Sequence, residues 1–168
     1  SLTVEGILSA CGTLDKPITF TSNKIQPQIG DWNTIMFKGA QKSTISYSIL
    51  TYATNALTIE NGNVEIQNCW VSDNSQSGVY ATGENKALII GNTIQSNQNG
   101  ILVMGNSTGV NISDNKVFLN SQNGVYIHAY ALAKAERDYD KANVTVRIHG
   151  IVVSGNNVSY NQIGIYLH

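Results

Sequence analysis

Residues 87–103, ALIIGNTIQSNQNGILV, and 110–127, VNISDNKVFLNSQNGVYI, decide how this chain folds. In both, short apolar-polar alternations are broken by Asn, Ser, Asp and Gly, and both end in Gly followed by aliphatic residues at every second position. The alternations are too short and too often interrupted for helices, and they have the period of strands. Working outward, 64–81 (VEIQNCWVSDNSQSGVYA) and 151–167 (IVVSGNNVSYNQIGIYL) align with them, and 45–59 (ISYSILTYATNALTI) is a weaker copy.

Anchored on the central aliphatic, the copies place Ile49, Val71, Ile94, Val117 and Val158 beneath one another, with steps of 22, 23, 23 and 41 residues. A constant repeat near 23 residues marks a solenoid, because one such unit cannot bury its apolar face alone and stacked units can. The last step is one repeat plus an insertion. Three short strands per turn give an all-β, right-handed parallel β-helix of about six coils, forming a single domain over residues 1–168.

Val125 and Ile127 alternate with Tyr126 and His128, so stacking puts the aliphatic residues inside. The inward columns read Leu57, Val79, Ile101, Val125, Ile165 and Ile59, Ala81, Val103, Ile127, Leu167. Before residue 44 the spacing is looser, but Leu2/Val4, Ile18/Phe20 and Ile35/Phe37 supply further strands, and 22–30, with Pro27 and Gly30, reads as a loop leaving the solenoid.

Two Asn columns accompany the central aliphatic. Asn92, Asn115 and Asn156 lie two residues before it, and Asn74, Asn97, Asn120 and Asn161 three after. Both fall where strands turn, and Asn tolerates the left-handed backbone while its amide can bond from coil to coil. Cys69 occupies the first column in its coil, as a buried free thiol would. Register puts it about two rungs from Cys11, beyond the ~7 Å Cα limit of a disulfide.

Residues 129–147 (AYALAKAERDYDKANVTVR) interrupt the repeat and carry seven of the chain's 21 charged residues, including both arginines. The good helix formers in ALAKAERDYDKA predict a short helix or an ordered loop projecting from one corner. At both ends the terminal coil has no evident cap, which predicts a segment of a larger protein, with neighbouring sequence or self-association through the coil ends protecting the edges.

Lys and Arg number 10 against 11 Asp and Glu, so no electrostatic reason points to nucleic acid. No run of 18 apolar residues is present, so no membrane span is expected in this segment. No CxxC pair or Cys/His cluster supports zinc, and no cofactor is implied. Sequons at Asn106, Asn111, Asn143 and Asn157 would fit surface glycosylation, although a chain rich in Asn, Ser and Thr generates them by chance.

On these residues the repeats resemble those of the pectin-lyase-like superfamily, especially the carbohydrate-binding and sugar-hydrolase type found also in NosD-like proteins. The opening LTVEGILSACGT, PITFTS and GDWNTIMFKG are similar to a lead-in of secreted and cell-surface β-helix proteins. The resemblance implies an extracellular, cell-surface or periplasmic location, and it implies architecture more than activity, since one fold hosts lyases, hydrolases, adhesins and non-catalytic domains.

Glycoside hydrolysis needs two carboxyl groups about 5–10 Å apart, and a calcium-dependent lyase needs carboxylates facing an Arg or Lys base. Here Asp73 and Asp114 lie in different turn columns and Glu65 stands alone. Only the insertion gathers Arg137, Asp138, Asp140 and Lys141. The outward side of the Gly-led strand is more suggestive: Tyr80, Leu102, Tyr126 and Tyr166 form one column, with Thr82, Met104, His128 and His168 beside it. Tyr80, Tyr126, His128, Tyr166 and His168 are therefore the candidate ligand-binding residues, able to meet a polysaccharide or glycan through ring faces and polar tips. The competing reading is a ladder that only stabilises the sheet. Met104, His128 and His168 also have ligand types suited to copper, but they are few. The favoured function is a non-catalytic secreted or cell-surface scaffold presenting a glycan- or protein-binding face. A polysaccharide lyase or glycoside hydrolase with site residues partly elsewhere, and a filament or surface-layer subunit, are the alternatives.

Overall fold

The computed structural model describes residues 1–129, 136–140, 143–148 and 150–168, with side chains described outside 129–149. Three sheets run the length of a solenoid. Sheet A has seven strands, all parallel: Leu2–Val4, Ile35–Lys38, Leu57–Glu60, Ser77–Thr82, Asn99–Gly105, Asn123–Ala129 and Ile163–Leu167. Sheet C has six, Ile18–Phe20, Ser48–Thr51, Trp70–Ser72, Thr93–Gln95, Lys116–Phe118 and Asn157–Ser159. Sheet B has six parallel strands, Ser9–Cys11, Ser43–Ser46, Asn63–Gln67, Lys86–Ile90, Asn111–Ser113 and Ile151–Ser154, and two more from the insertion. The chain visits A, B and C in turn, which makes about six coils of a parallel β-helix. No helix among the described residues is long and apolar enough to cross a membrane.

The inward columns of sheet A pair rung to rung as the repeat predicts, Leu57 with Val79, Ile101, Val125 and Ile165 in succession. Ile35 and Phe37 continue them downward, and Phe37, Leu57, Ile59, Val79, Ile101 and Val125 are wholly buried. In sheet C the alignment of the weak copy is shifted by one. Leu50, not Ile49, pairs with Val71 and is wholly buried, while Ile49 faces outward beside Trp70. With period-two side chains a slip of one residue exchanges the faces, so the core decides between two adjacent aliphatics.

Both Asn columns are continuous ladders. In the second, the Oδ1 of Asn97 accepts from the backbone N–H of Asn74 (3.2 Å) and from its Nδ2 (2.8 Å), and Asn120 and Asn161 repeat the pattern above. In the first, Asn92 accepts from the N–H of Cys69 at 2.9 Å and bonds upward to Asn115, which bonds to Asn156. The ladder residues are not the left-handed ones. Positive φ falls on the residue before each, at Asn68, Gly91, Asp114 and Gly155 in one corner and at Tyr52, Asp73, Ser96, Leu119 and Tyr160 in the other. One residue makes the bend, and the next then points its amide inward to satisfy the corner's backbone groups. A third corner, between sheets A and B, uses Asn85, whose Oδ1 accepts from Gly62 N–H and whose Nδ2 donates to Ser107.

Gly78, Gly100 and Gly124 open the sheet A strands for want of space. A Cβ on Gly100 would sit 2.5 Å from Val117 Cγ1 and 2.5 Å from the carbonyl of Gly124, and would crowd the Asn120 amide. The glycine column thus makes room for the Asn ladder beside it.

The insertion is not helical where it is described. Glu136–Asp140 and Asn143–Ile148 are antiparallel strands, and the second pairs antiparallel with Ile151–Ser154. Edge pairing overrides the helix propensity of this segment. The rest of the expected helix, residues 131–135, 141 and 142, lies outside the described residues. The second strand of the insertion occupies the outer edge of Ile151–Ser154, whose other edge pairs with Asn111–Ser113.

Candidate functional site

The outer face of sheet A carries the predicted stripe in the predicted register. Tyr80 pairs with Leu102, Leu102 with Tyr126 and Tyr126 with Tyr166, while Met104 pairs with His128. His168 follows on the last rung, its N–H bonded to Ile127 O at 2.9 Å.

Four rings gather. Tyr126 and Tyr166 stack 5.1 Å apart with planes 5° from parallel, Tyr126 stacks with His128 at 6.5 Å, and His128 lies 4.7 Å from His168. Tyr166 and His168 close the group at 6.1 Å. Tyr80 is not part of it, since Leu102 stands on the rung between Tyr80 and Tyr126 and separates them by about 9.6 Å, two rungs. Each stacked tyrosine covers one face of the other, so the group turns edges and polar tips outward more than open ring faces.

Carboxylates are distant from these rings among the described side chains of this face. Glu60 shares the His128 column but lies three rungs below, on a rung with Lys38 beneath it. Glu65 is on sheet B and bonds to Gln67. Asp73 and Asp114 occupy left-handed corner positions, in different corners, which explains both without chemistry. The backbone puts Glu136, Arg137, Asp138 and Asp140 in the extension of sheet B, a different sheet from the one that carries the rings, and Lys141 lies outside the described residues. Among the described residues no three His, Cys, Asp or Glu side chains are gathered to hold a metal ion.

The sequons differ in setting. Asn106 is exposed in the corner after Gly105, and Asn157 is exposed on its strand. Asn111 is inside sheet B with its Oδ1 shielded from solvent and no hydrogen-bond partner among the described residues. Asn143 lies in a strand whose side chains are not described. The two thiols also separate as expected: Cys69 is buried and free, its pKa pushed up to about 11 by burial, and Cys11 is exposed and free, held below the ordinary thiol value by hydrogen bonds from Ser9 and Ser46.

Sequence reading missed a second aromatic group. Tyr47 and Trp70 line a groove of 340 Å³ at the corner between sheets B and C, together with Leu14, Pro17, Asn68 and Thr93. The available signal was a tryptophan at a strand position whose neighbours in the column are Ile49, Thr93 and Lys116.

Three parallel sheets, a repeat near 23 residues and internal Asn ladders define a parallel β-helix repeat protein. The chain belongs to the right-handed β-helix family, whose description, right handed beta helix region, matches residues 6–168. Comparison with curated proteins and with solved structures gives no match.

Proposed function

We propose that this chain is a non-catalytic, extracellular or cell-surface β-helix scaffold whose sheet A face contacts a polysaccharide through Tyr126, His128, Tyr166 and His168. The observation that carries the reading is the four-ring group, held by register on an outer face where sheet geometry alone requires no aromatic residue. The phenol hydroxyls of Tyr126 and Tyr166, at about 4.8 Å rung spacing, and the exposed imidazole of His168 offer a row of hydrogen-bonding tips to sugar hydroxyls. The exposed sequon residues Asn106 and Asn157 are compatible with an extracellular setting. The separation of the rings from Glu60 speaks for contact without cleavage.

The test is a glycan array with analysis of products, on the wild type and on Tyr126→Leu, a change the column already accommodates at Leu102. Binding with intact glycan, weakened about tenfold or more in the variant, is expected. Unsaturated or shortened products would replace this reading with a lyase or hydrolase. Continuous filaments without any glycan binding would replace it with a structural subunit.

A further inference from the structure

We infer that the groove beside Tyr47 and Trp70 is a second saccharide site, selective for neutral oligosaccharides. It lies at the corner between sheets B and C and does not depend on the ring group of sheet A.

Three observations carry this. First, the aromatic surfaces here are open. Trp70 is 45% exposed and Tyr47 36% exposed, and the rungs flanking Trp70 hold Ile49 and Thr93, so no aromatic ring stacks on it in its own column. The indole N–H donates to Ser72 Oγ at 3.2 Å, which fixes the ring on the strand. Open indole and phenol faces are what the C–H faces of pyranose rings stack against.

Second, Tyr47 has φ of 47°, whereas the same corner in the other coils uses Asn68, Gly91, Asp114 and Gly155. Gly and Asn make that bend with little strain, and a bulky side chain makes it at a cost. Tyr52 and Tyr160 make the same kind of bend in the other corner, so the φ alone assigns nothing; what sets Tyr47 apart is that it is the aromatic residue in its own corner column and its ring lines the groove beside Trp70. Gly91, on the rung above Asn68, adds no side chain and leaves the notch above Trp70 open; a Cβ there would lie 2.8 Å from Asn68 Oδ1.

Third, the groove is preformed and uncharged. Its far wall is the loop after Cys11, closed on itself by Thr13 N–H to Lys16 O at 3.0 Å and Lys16 N–H to Thr13 O at 3.2 Å, and it presents Leu14 and Pro17. The polar groups in the lining are the hydroxyls of Thr13, Tyr47, Ser48 and Thr93 and the Asn68 amide, with no charged side chain. Asp15 and Lys16 belong to the wall loop and Lys116 stands one rung above Thr93, but none of the three lines the groove, and a neutral sugar would find both donors and acceptors among the residues that do. At 340 Å³ the space falls in the lower part of the ligand-pocket range of about 300–1,000 Å³, suited to one or two sugar rings.

Tryptophan fluorescence tests it directly, because the chain has 2 tryptophans and Trp32 is held by its own bond to Thr51 O. The full chain is titrated with β-1,4-glucan, β-1,4-mannan and β-1,3-glucan hexasaccharides, with hexagalacturonate and decaproline as comparators. A saturable change with at least one neutral hexasaccharide is expected. Trp70→Ala should weaken binding about tenfold or more by calorimetry, as should Thr93→Arg, which fills the notch from an outward strand position. Unchanged urea midpoints would show both variants folded. Tyr126→Leu should leave the Trp70 signal intact, so failure of the sheet A reading and failure of this one are separable. No change with any neutral hexasaccharide up to about 10 mM, equal binding by folded Trp70→Ala, or a preference for hexagalacturonate or decaproline would each overturn the proposal.

Discussion

Replacing Asn97 by Asp and by Ala separates what its amide does from the space it fills. Asn97 is 3% exposed, and its Oδ1 accepts two bonds from Asn74 while its Nδ2 donates to Gln95 O at 2.8 Å and Asn120 Oδ1 at 3.1 Å. Asn97→Ala orphans the buried N–H of Asn74, at about 1–3 kcal/mol, and removes two further donations worth about 1 kcal/mol each, so a loss of about 3–5 kcal/mol is expected. Asn97→Asp keeps the acceptor but turns the donor into an oxygen facing two other oxygens in a dry corner. That arrangement opposes ionisation, raising the folded pKa above the unfolded value of about 3.9. The native state then binds the proton more tightly than the unfolded state, so stability relative to wild type falls as pH rises above about 4, by about 1.4 kcal/mol per unit until the folded pKa is reached. Urea unfolding of the three proteins at pH 4, 5.5 and 7 measures this. Asp should equal or exceed Ala at pH 4, because a protonated carboxyl donates one bond, and should be the less stable of the two at pH 7. An Asp variant with no pH dependence beyond that of wild type, or an Ala variant losing less than about 1 kcal/mol, would refute the ladder as a stabilising element.

Gly100→Ala should cost about 1–3 kcal/mol through overpacking, whereas Gly164→Ala in the same column, where the nearest atom to a Cβ is 3.9 Å away, should be near neutral; urea midpoints compare them. Leu119 is 55% exposed with φ of 55°, so Leu119→Gly should relieve about 1 kcal/mol of left-handed strain, seen as a raised urea midpoint. A thiol reagent at pH 8 should modify Cys11 alone in the native protein and both cysteines in urea, since burial holds the Cys69 pKa near 11; two reactive thiols in the native state would contradict the closed core. Asp31, with its pKa lowered to about 2 by hydrogen bonds from Lys24, Ser22 and the Gln28 N–H, should pin the 22–30 loop above pH 4 and release it as pH falls from about 4 towards 2, detected as acid-dependent cleavage of this loop by an acid protease.

The repeat was legible because its core positions are constrained twice, by the period of the strand and by the residue one rung away. Where either constraint weakens, the reading fails in a specific way. Ile49 and Leu50 are adjacent aliphatics with no alternation to choose between them, yet Ala53 follows Leu50 at the same distance as Asn74 follows Val71, and that corner offset was the better anchor. The Asn columns were legible as positions but not as conformations, since bend and ladder are consecutive residues and types such as Leu119 and Tyr160 give no sign of a left-handed backbone. The strand Glu136–Asp140 is set by its pairing partners, which local propensity does not contain.

Function is harder to read for a related reason. Outward positions of a β-helix are not held to a period by the core, so a surface feature shows either as a chance repeat along a column or as a departure from what that column otherwise holds. Tyr47 among Asn68, Gly91, Asp114 and Gly155 is such a departure, as is Trp70 between Ile49 and Thr93. The stripe at Tyr126 and Tyr166 differs in kind: it repeats with the rungs, which made it visible in sequence, and the repetition itself stacks the rings on one another. Periodic outward aromatics therefore tend to satisfy each other, and an isolated one keeps its face for something else. On the two proposals above, the stripe would meet a sugar through its polar tips and the corner of sheets B and C through a ring face, because Trp70 has no ring above or below it in its own column.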